Sequence, residues 1–455
     1  MPEINRHPAS FRDPSGFVFN LEGKIYRQIN KPYSAAYDLL MRSGLYDRLT
    51  ARGMMIPHTE VTGITETDAK AYKIIQPEPV PFISYPYEWC FQQLKDAALL
   101  TLMMVKTSME YGMILKDATP YNIQFHKGKP VFIDTLSFEP YEPSRPWTAY
   151  RQFCNMFLFP LYLEFYLRGN IQKILSAYLE GIPADITSRM LPLKSGLNLG
   201  VWLHVHLQNK VAQNARTKNG KEEFSQKKLQ NLIHHLETII LSFTGKRTRS
   251  QWSDYYQETI LGKEYLEEKE KIFRTLLEKV PADSVLDLGA NDGYFTKIIA
   301  EKAKQVIAAD NDQECINNLY REIKRSGNGN ILPLTIDIAN PSPAIGFHNR
   351  ERAAFHDRIK TGLVVALALI HHLAIGRNIA LPVLAAYFAD IAPLLIIEWI
   401  PQEDEKVRQM LSSREHVFRE YTEENFERYF YAYFRQAQKI PIAGTRRILY
   451  LMERN

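Results

Sequence analysis

Cysteine is scarce in this chain: Cys90, Cys154 and Cys315 are the only three among 455 residues. An odd number of widely separated cysteines excludes a disulfide scaffold and any four-cysteine zinc site, and it fits a reducing compartment. Long apolar runs are also missing. A bilayer-spanning helix needs ~18 apolar residues, and the nearest stretch, Phe153 to Leu167, contains Asn155, Pro160 and Glu164. It reads as a buried helix, the alternative being one that faces a membrane surface or a partner. The opening residues, MPEINRHPAS, offer no apolar core for a signal peptide, so a cytoplasmic location is the expectation. Extremes of composition are absent too. With 45% hydrophobic and 24% charged residues, the chain is not disordered, collagen-like or a coiled coil. What is present is aromatic bulk, 25 Tyr and 23 Phe, and length for two or three domains of roughly 150 residues each.

Net charge is only +5, and it is concentrated. Arg216, Lys218, Lys221, Lys227, Lys228, Lys246, Arg247 and Arg249 face three acids, Glu222, Glu223 and Glu237, so this one segment holds the whole surplus. It reads as a solvated linker, with an anionic partner as the alternative; a nucleic-acid partner has no stronger support than this. Three parts are expected: an N-terminal α+β domain over 1–213, a basic linker and helix over 214–251, and a C-terminal domain over 252–455. Within the linker, Leu229, Leu232, Ile233, Leu236, Ile239 and Ile240 have helical spacing. His234 and His235 are adjacent there and point about 100° apart, so they read as structural and not as a metal pair.

After residue 251 short apolar runs alternate with helical stretches: SVLDLG, QVIAAD, ILPLTID, GLVVALAL and LLIIEWI. Strands alternating with helices imply βαβ units and a parallel sheet with helices on both faces. The end of the chain, from Phe426 through RRILYLMER, is expected to add a final helix and edge strands. In VLDLGANDGYF a strand ends at Asp287, Gly289 and Gly293 follow, and a helix starts near Tyr294. Glycine permits positive φ and close approach of a ligand to the backbone. The spacing differs from the G-x-G-x-x-G that places a pyrophosphate on a helix N-terminus, and Asp292 in the turn disfavours a pyrophosphate while tolerating a cation. Asp310 ends the second strand, where an acid accepts both hydroxyls of a ribose. Asp337 ends the third and can accept from the exocyclic amine of a purine. All three acids fall on the carboxyl edge of the sheet, where such folds bind ligands.

On these residues the segment 280–400 resembles a class I S-adenosylmethionine-dependent methyltransferase. LDLGANDG is similar to the family's first motif, with Asn291 where a small residue is common; Asn tolerates the turn dihedrals. The resemblance implies a Rossmann-like sheet and S-adenosyl-L-methionine as cofactor. It implies that Asp287, Gly289, Asn291 and Gly293 lie at the cofactor, Asp310 at its ribose, and Asp337 with Ile338 at its adenine. ALALIHHL, after the fourth strand, would line the transfer site. The protein must then orient an acceptor and remove its proton. His371 or His372 is the candidate base, and Glu398 is a candidate to bind or deprotonate the acceptor, with buried pairing as its alternative. Asp404 and Arg446 are lesser candidates, and Trp252, Tyr255 and Tyr256 are read as an apolar staple. The absence of N-P-P-Y or D-P-P-Y disfavours a flipped-base amino methylase, and no cysteine ends the fourth or fifth strand as a C5 mechanism would need.

In the N-terminal half, Asp117, Asn122 and Asp134 show the spacing Asp-x4-Asn-x11-Asp, which resembles the catalytic loop and metal-binding Asp of protein kinases and aminoglycoside-type phosphotransferases. The departures are Leu115 in place of the usual His, no glycine-rich phosphate loop, Arg27 or Lys31 in place of the strand-three Lys, and Asp38 and Asp47 but no Glu in the following helix. A degenerate kinase-like domain is therefore expected, or else an unrelated α+β domain with these acids in turns. Together the readings give methyl transfer to an unidentified acceptor, with the N-terminal domain recognising acceptor or partner. The alternatives are a non-catalytic cofactor-binding module and a Mg-dependent phosphotransferase.

Overall fold

A computed structural model describes residues 5–64, 70–207, 225–244, 263–281, 283–411 and 418–455. Six of the eight basic residues of the 216–251 segment, and Trp252, Tyr255 and Tyr256, lie outside them. The chain divides into two compact units. The first is Met1–Lys246 with Pro343–Ala353; the second is Arg247–Ser342 with Ala354–Asn455.

The second unit is built on β10 (Ser284–Leu288), β11 (Gln305–Asp310), β12 (Ile331–Thr335), β13 (Leu363–Ala366), β14 (Leu394–Trp399), β15 (Phe434–Pro441) and β16 (Ile448–Arg454). Their order is β12-β11-β10-β13-β14-β16-β15. The first five are mutually parallel, and β16 runs antiparallel to both β14 and β15. Strands such as Leu363–Ala366 are buried at every position, as a sheet covered on both faces requires. Helices Lys263–Glu278, Tyr294–Ala300, Gln313–Ser326 and Leu381–Ile391 are the helical stretches that precede and separate the strands, the second starting at Tyr294 as expected. This is the Rossmann-like parallel sheet with helices on both faces that the sequence predicts. One detail of the expected edge differs. β16 is interior, because ILYLM is buried throughout, whereas the alternating β15, which ends in Pro441 and carries a bulge at Gln436/Gln438, forms the edge.

The first unit opens with an antiparallel five-stranded sheet, order β1-β2-β3-β5-β4, from β1 (Asn5–Arg6), β2 (Gly16–Leu21), β3 (Lys24–Asn30), β4 (His58–Val61) and β5 (Ala71–Pro77). The β2–β3 hairpin turns at Glu22-Gly23, both at positive φ. The single helix expected after it is two, Ser34–Arg42 and Leu45–Ala51, because Gly44 sits at φ 83° between them. Then come the buried helix Phe91–Glu110, β6 (Met113–Leu115), the hairpin of β7 (Ile123–His126) and β8 (Lys129–Phe132), and β9 (Phe138–Pro140). Helix Gln226–Ser242, read from sequence as part of a linker, packs inside this unit: Lys95 Nζ donates to the carbonyls of Leu241 (3.2 Å) and Phe243 (2.8 Å), and Lys106 pairs with Glu237.

The Phe153–Leu167 stretch is a mostly buried helix. Pro160 has no N–H and its ring crowds the carbonyl four residues back, and the helix widens into a π segment at Cys154–Leu158 just before it. Among the described residues no helix is long and apolar enough to cross a membrane.

Candidate active site

The chain winds outward from β10 to β12 and returns to place β13 against the other side of β10, so the strand order reverses between β10 and β13. Ligands of open α/β sheets bind at such a switch point, beyond the carboxyl ends of the strands. A cleft of about 300 Å³ lies there. Gly289, Asn291, Asp310, Asp337, Ile338 and His372 all line it. Asp287 and Gly293 do not.

The floor is the turn after β10. Gly289 (φ 76°) and Asn291 (φ 51°) both occupy the left-handed region. The Gly289 and Ala290 amides donate to the carbonyl of Ala309 (2.9 and 3.2 Å), which binds the turn to β11. Gly293 (φ 82°) starts the next helix, and a Cβ there would meet Leu319 Cδ1 at 2.4 Å, so that glycine serves packing. Asp287 is 3% exposed and accepts from Thr296 Oγ1 at 2.5 Å; burial pushes its pKa up to about 7. It braces the turn from below and is not among the residues that line the cleft.

Asp310 accepts from the amides of Asn291 (2.9 Å) and Asp312 (2.8 Å). The Asn311 backbone contributes as well, and the carboxylate lines the cleft, where a carboxylate's lone pairs can accept further donors. Burial raises its pKa to about 6 against these donors. Asp337 Oδ1 accepts from the amide of Ala339 (3.0 Å), and Oδ2 pairs with Arg377 at 2.8 Å. Arg377, half-exposed and also lining the cleft, escaped the sequence reading. It follows the π turn His372–Gly376, and no local pattern announces it. Asp292 Oδ1 is buried with no hydrogen-bond partner, and burial pushes this carboxyl up as well.

The two histidines separate. His372 lines the cleft, and burial depresses its pKa to about 4, with Lys406 adding repulsion. His371 is 1% exposed, and neither ring nitrogen has a hydrogen-bond partner. Burial holds it neutral, and its ring centre lies 4.1 Å from that of His372.

Glu398 takes the buried pairing that stood as the alternative to an acceptor contact. It is fully buried and accepts from Tyr265 Oη (2.8 Å), Lys269 Nζ (2.6 Å) and the amide of Ala368 (2.8 Å). Burial alone would raise its pKa, but Lys269 and Arg447 outweigh that and lower it. Arg447 completes the network, with Nε 2.8 Å from Asp404 Oδ2 and Nη1 2.9 Å from Tyr265 Oη. Ala368 sits at φ 50°, a conformation that costs an alanine about 1–2 kcal/mol. Glu398 therefore pins the strained turn that carries His372 into the cleft. Of the paired arginines, Arg446 is exposed and Arg447 is buried, so the arginine candidate shifts by one residue.

The first unit assembles Asp117, Asn122 and Asp134 as well, but closes on them. Asp134 is ion-paired with Arg27 from β3, and it accepts from Ser137 Oγ (2.6 Å) and the amide of Leu136 (3.2 Å). Asn122 Nδ2 donates to Ser137 Oγ (2.9 Å). Asp117 is raised to about 6, first by burial and then by Asp134. Lys116 lies 3.4 Å from Asp13 and 3.2 Å from Ser15 Oγ. Among the described residues no three His, Cys, Asp or Glu side chains are grouped to hold a metal ion.

No known family profile matches the chain. The nodulation protein NoeA of Rhizobium meliloti (strain 1021) is 31% identical over 467 aligned positions, covering 100% of this chain and 97% of that protein. The chain belongs to the NoeA family. Among solved structures, the NoeA-family chain resembles the N-methyltransferase NodS from Bradyrhizobium japonicum WM9 (14% identity, TM-score 0.32, covering 42% of this chain and 97% of NodS). Magnesium protoporphyrin IX methyltransferase ChlM from Synechocystis PCC 6803, solved with bound S-adenosylhomocysteine, matches with 14% identity and a TM-score of 0.33 over 45% of this chain and 92% of ChlM. The bifunctional kinase-methyltransferase WbdD matches with 18% identity and a TM-score of 0.30, over 42% of this chain and 38% of WbdD.

Proposed function

We propose that this NoeA-family protein is an S-adenosyl-L-methionine-dependent methyltransferase. The observation that carries the reading is the convergence of Asp310 and Asp337, from adjacent strand ends, on one cleft floored by the Gly289–Asn291 turn. The donor set suits a cationic nucleoside. Asp310 offers paired acceptors to two vicinal hydroxyls. Asp337 offers an acceptor one strand further out, shared with Arg377.

Bound there, the cofactor supplies a methyl group on a sulfonium, already strongly electrophilic. The chain's own residues bind, orient and manage a proton. His372 enters the wall of the cleft as a neutral imidazole at every pH above about 4, so it can accept a hydrogen bond or a proton from an acceptor group. A base this weak removes a proton only as the new bond forms, which places its contribution in the transition state. The Glu398–Lys269–Arg447–Asp404 network balances two carboxylates with two cations and fixes the turn that orients His372.

Calorimetric titration of the full-length protein with S-adenosylmethionine and with S-adenosylhomocysteine tests the reading. Binding of both, lost in Asp310→Ala, is expected. No detectable heat with either ligand, from a protein that melts cooperatively, removes the proposal.

A further inference from the structure

The loop Leu191–Leu207 exposes apolar side chains without apparent need. Leu193 is 99% exposed, Leu197 94% and Leu199 66%, with Trp202 at 46%. These residues are not on a loose strand. Successive turns tie Ser195 N to the Pro192 carbonyl (2.8 Å), Asn198 N to the Ser195 carbonyl (2.9 Å) and Trp202 N to the Asn198 carbonyl (3.0 Å). Asn198 Oδ1 caps the following helix by accepting from the Gly200 and Val201 amides (2.9 and 3.2 Å). Gly200 lies so close to the body of the unit that a Cβ would meet Tyr162 Oη at 2.4 Å. Ser195, Gly200, Val201 and Val205 are buried between the exposed leucines. The backbone is thus fixed from within, and the leucines are held outward.

Large apolar side chains presented this way mark a contact surface. Their form selects the partner. A stable protein interface needs a broad face of about 800 Å² per partner, whereas side chains almost wholly free of their own surface are shaped to enter a soft medium. Trp202 is about half exposed beside them, an amphipathic side chain of the kind found at membrane interfaces, and exposed Arg189 and Lys194 flank the leucines. The chain's positive surplus follows in sequence from Arg216.

We infer that the Leu193–Trp202 loop docks the protein on an anionic lipid surface, its leucines entering the acyl boundary and Lys194 and Arg189 meeting the headgroups. The inference is independent of the cofactor cleft. Full-length protein is co-sedimented with vesicles of phosphatidylcholine alone or with about 30 mol% phosphatidylglycerol. Sedimentation with the anionic vesicles, weakened by salt, is expected, and Leu193→Ser/Leu197→Ser should lower the partition at least about tenfold with an unchanged melting temperature. Lys194→Glu should weaken it less. Wild-type protein remaining in the supernatant, equal binding by the double variant, or equal binding to neutral vesicles overturns the inference. So does a dimer, seen by light scattering, that the double variant abolishes, since that would assign the loop to a second copy of the chain.

Discussion

Both units gather acidic residues at strand ends and loops, and they use them in opposite ways. In the second unit Asp310 lines a cleft, its own donors being backbone amides alone. In the first, Asp134 is satisfied by Arg27, Ser137 and the Leu136 amide, and Asn122 is spent on Ser137. The same residue types at motif spacing therefore make a receptive site in one place and a closed brace in the other. What separates the two is whether the lone pairs are consumed inside the chain, a property that spacing does not encode.

That contrast can be broken by substitution. The largest effect is expected from Asp134→Ala, which leaves Arg27 partly buried without its partner. Breaking such a pair costs about 3–5 kcal/mol, so the first unit should lose stability in denaturant melts while cofactor titration of the folded protein is unchanged. Asp310→Ala should do the reverse. Two hydrogen bonds to a charged acceptor are worth about 3 kcal/mol or more, so affinity for S-adenosylhomocysteine should fall roughly 100-fold with little change in melting. If Asp134→Ala weakens that affinity as much as Asp310→Ala, the contrast is wrong. His372→Asn should lower kcat about tenfold to 100-fold while leaving the calorimetric Kd of the cofactor in place; an equal loss of binding would make the ring a cofactor contact instead.

A smaller, graded effect comes from pH. In the proposed role Asp310 accepts two hydroxyls as a carboxylate, and its folded-state pKa is raised to about 6. Affinity should be full well above pH 6, be reduced near pH 6 and decline below it by up to about tenfold per unit. His372, depressed to about 4, stays neutral across the same range, so no inflection near the ordinary histidine value is expected from it. The smallest effect is reserved for Arg446→Ala, expected within about 0.5 kcal/mol as an exposed surface change. Arg447→Ala, which strands Glu398 and Asp404, should be severely destabilising in the same melt.

Much of the second unit could be read in advance because its signals are local. Uninterrupted apolar runs gave the five parallel strands, and Gly289, Asp310 and Asp337 lie at strand ends that the sequence itself marks. The brace beneath the site could not be read. Lys269, Glu398 and Arg447 come from distant segments, and their meeting depends on tertiary packing. Arg446 and Arg447 illustrate the limit at one residue. The strand after them, ILYLM, is apolar at every position, so alternation leaves no trace of which neighbour points inward; the contact of Arg447 with Asp404 settles it. The apolar run Phe153–Leu167 allowed a buried helix to be foreseen but not its π segment, and the Leu193–Trp202 loop was hidden because leucines predict burial.

The segment Pro343–Ala353 departs from the second unit's sequence to join the first. There Glu351 holds Arg12 through two contacts of 3.1 and 3.0 Å, and Arg352 lies over the Tyr121 ring at 4.3 Å. A clone beginning near residue 250 would carry these side chains without their partners, and one ending there would lose them. Dissection of this protein therefore calls for a deletion that excises the eleven-residue detour and rejoins Ser342 to Ala354, not for a single cut.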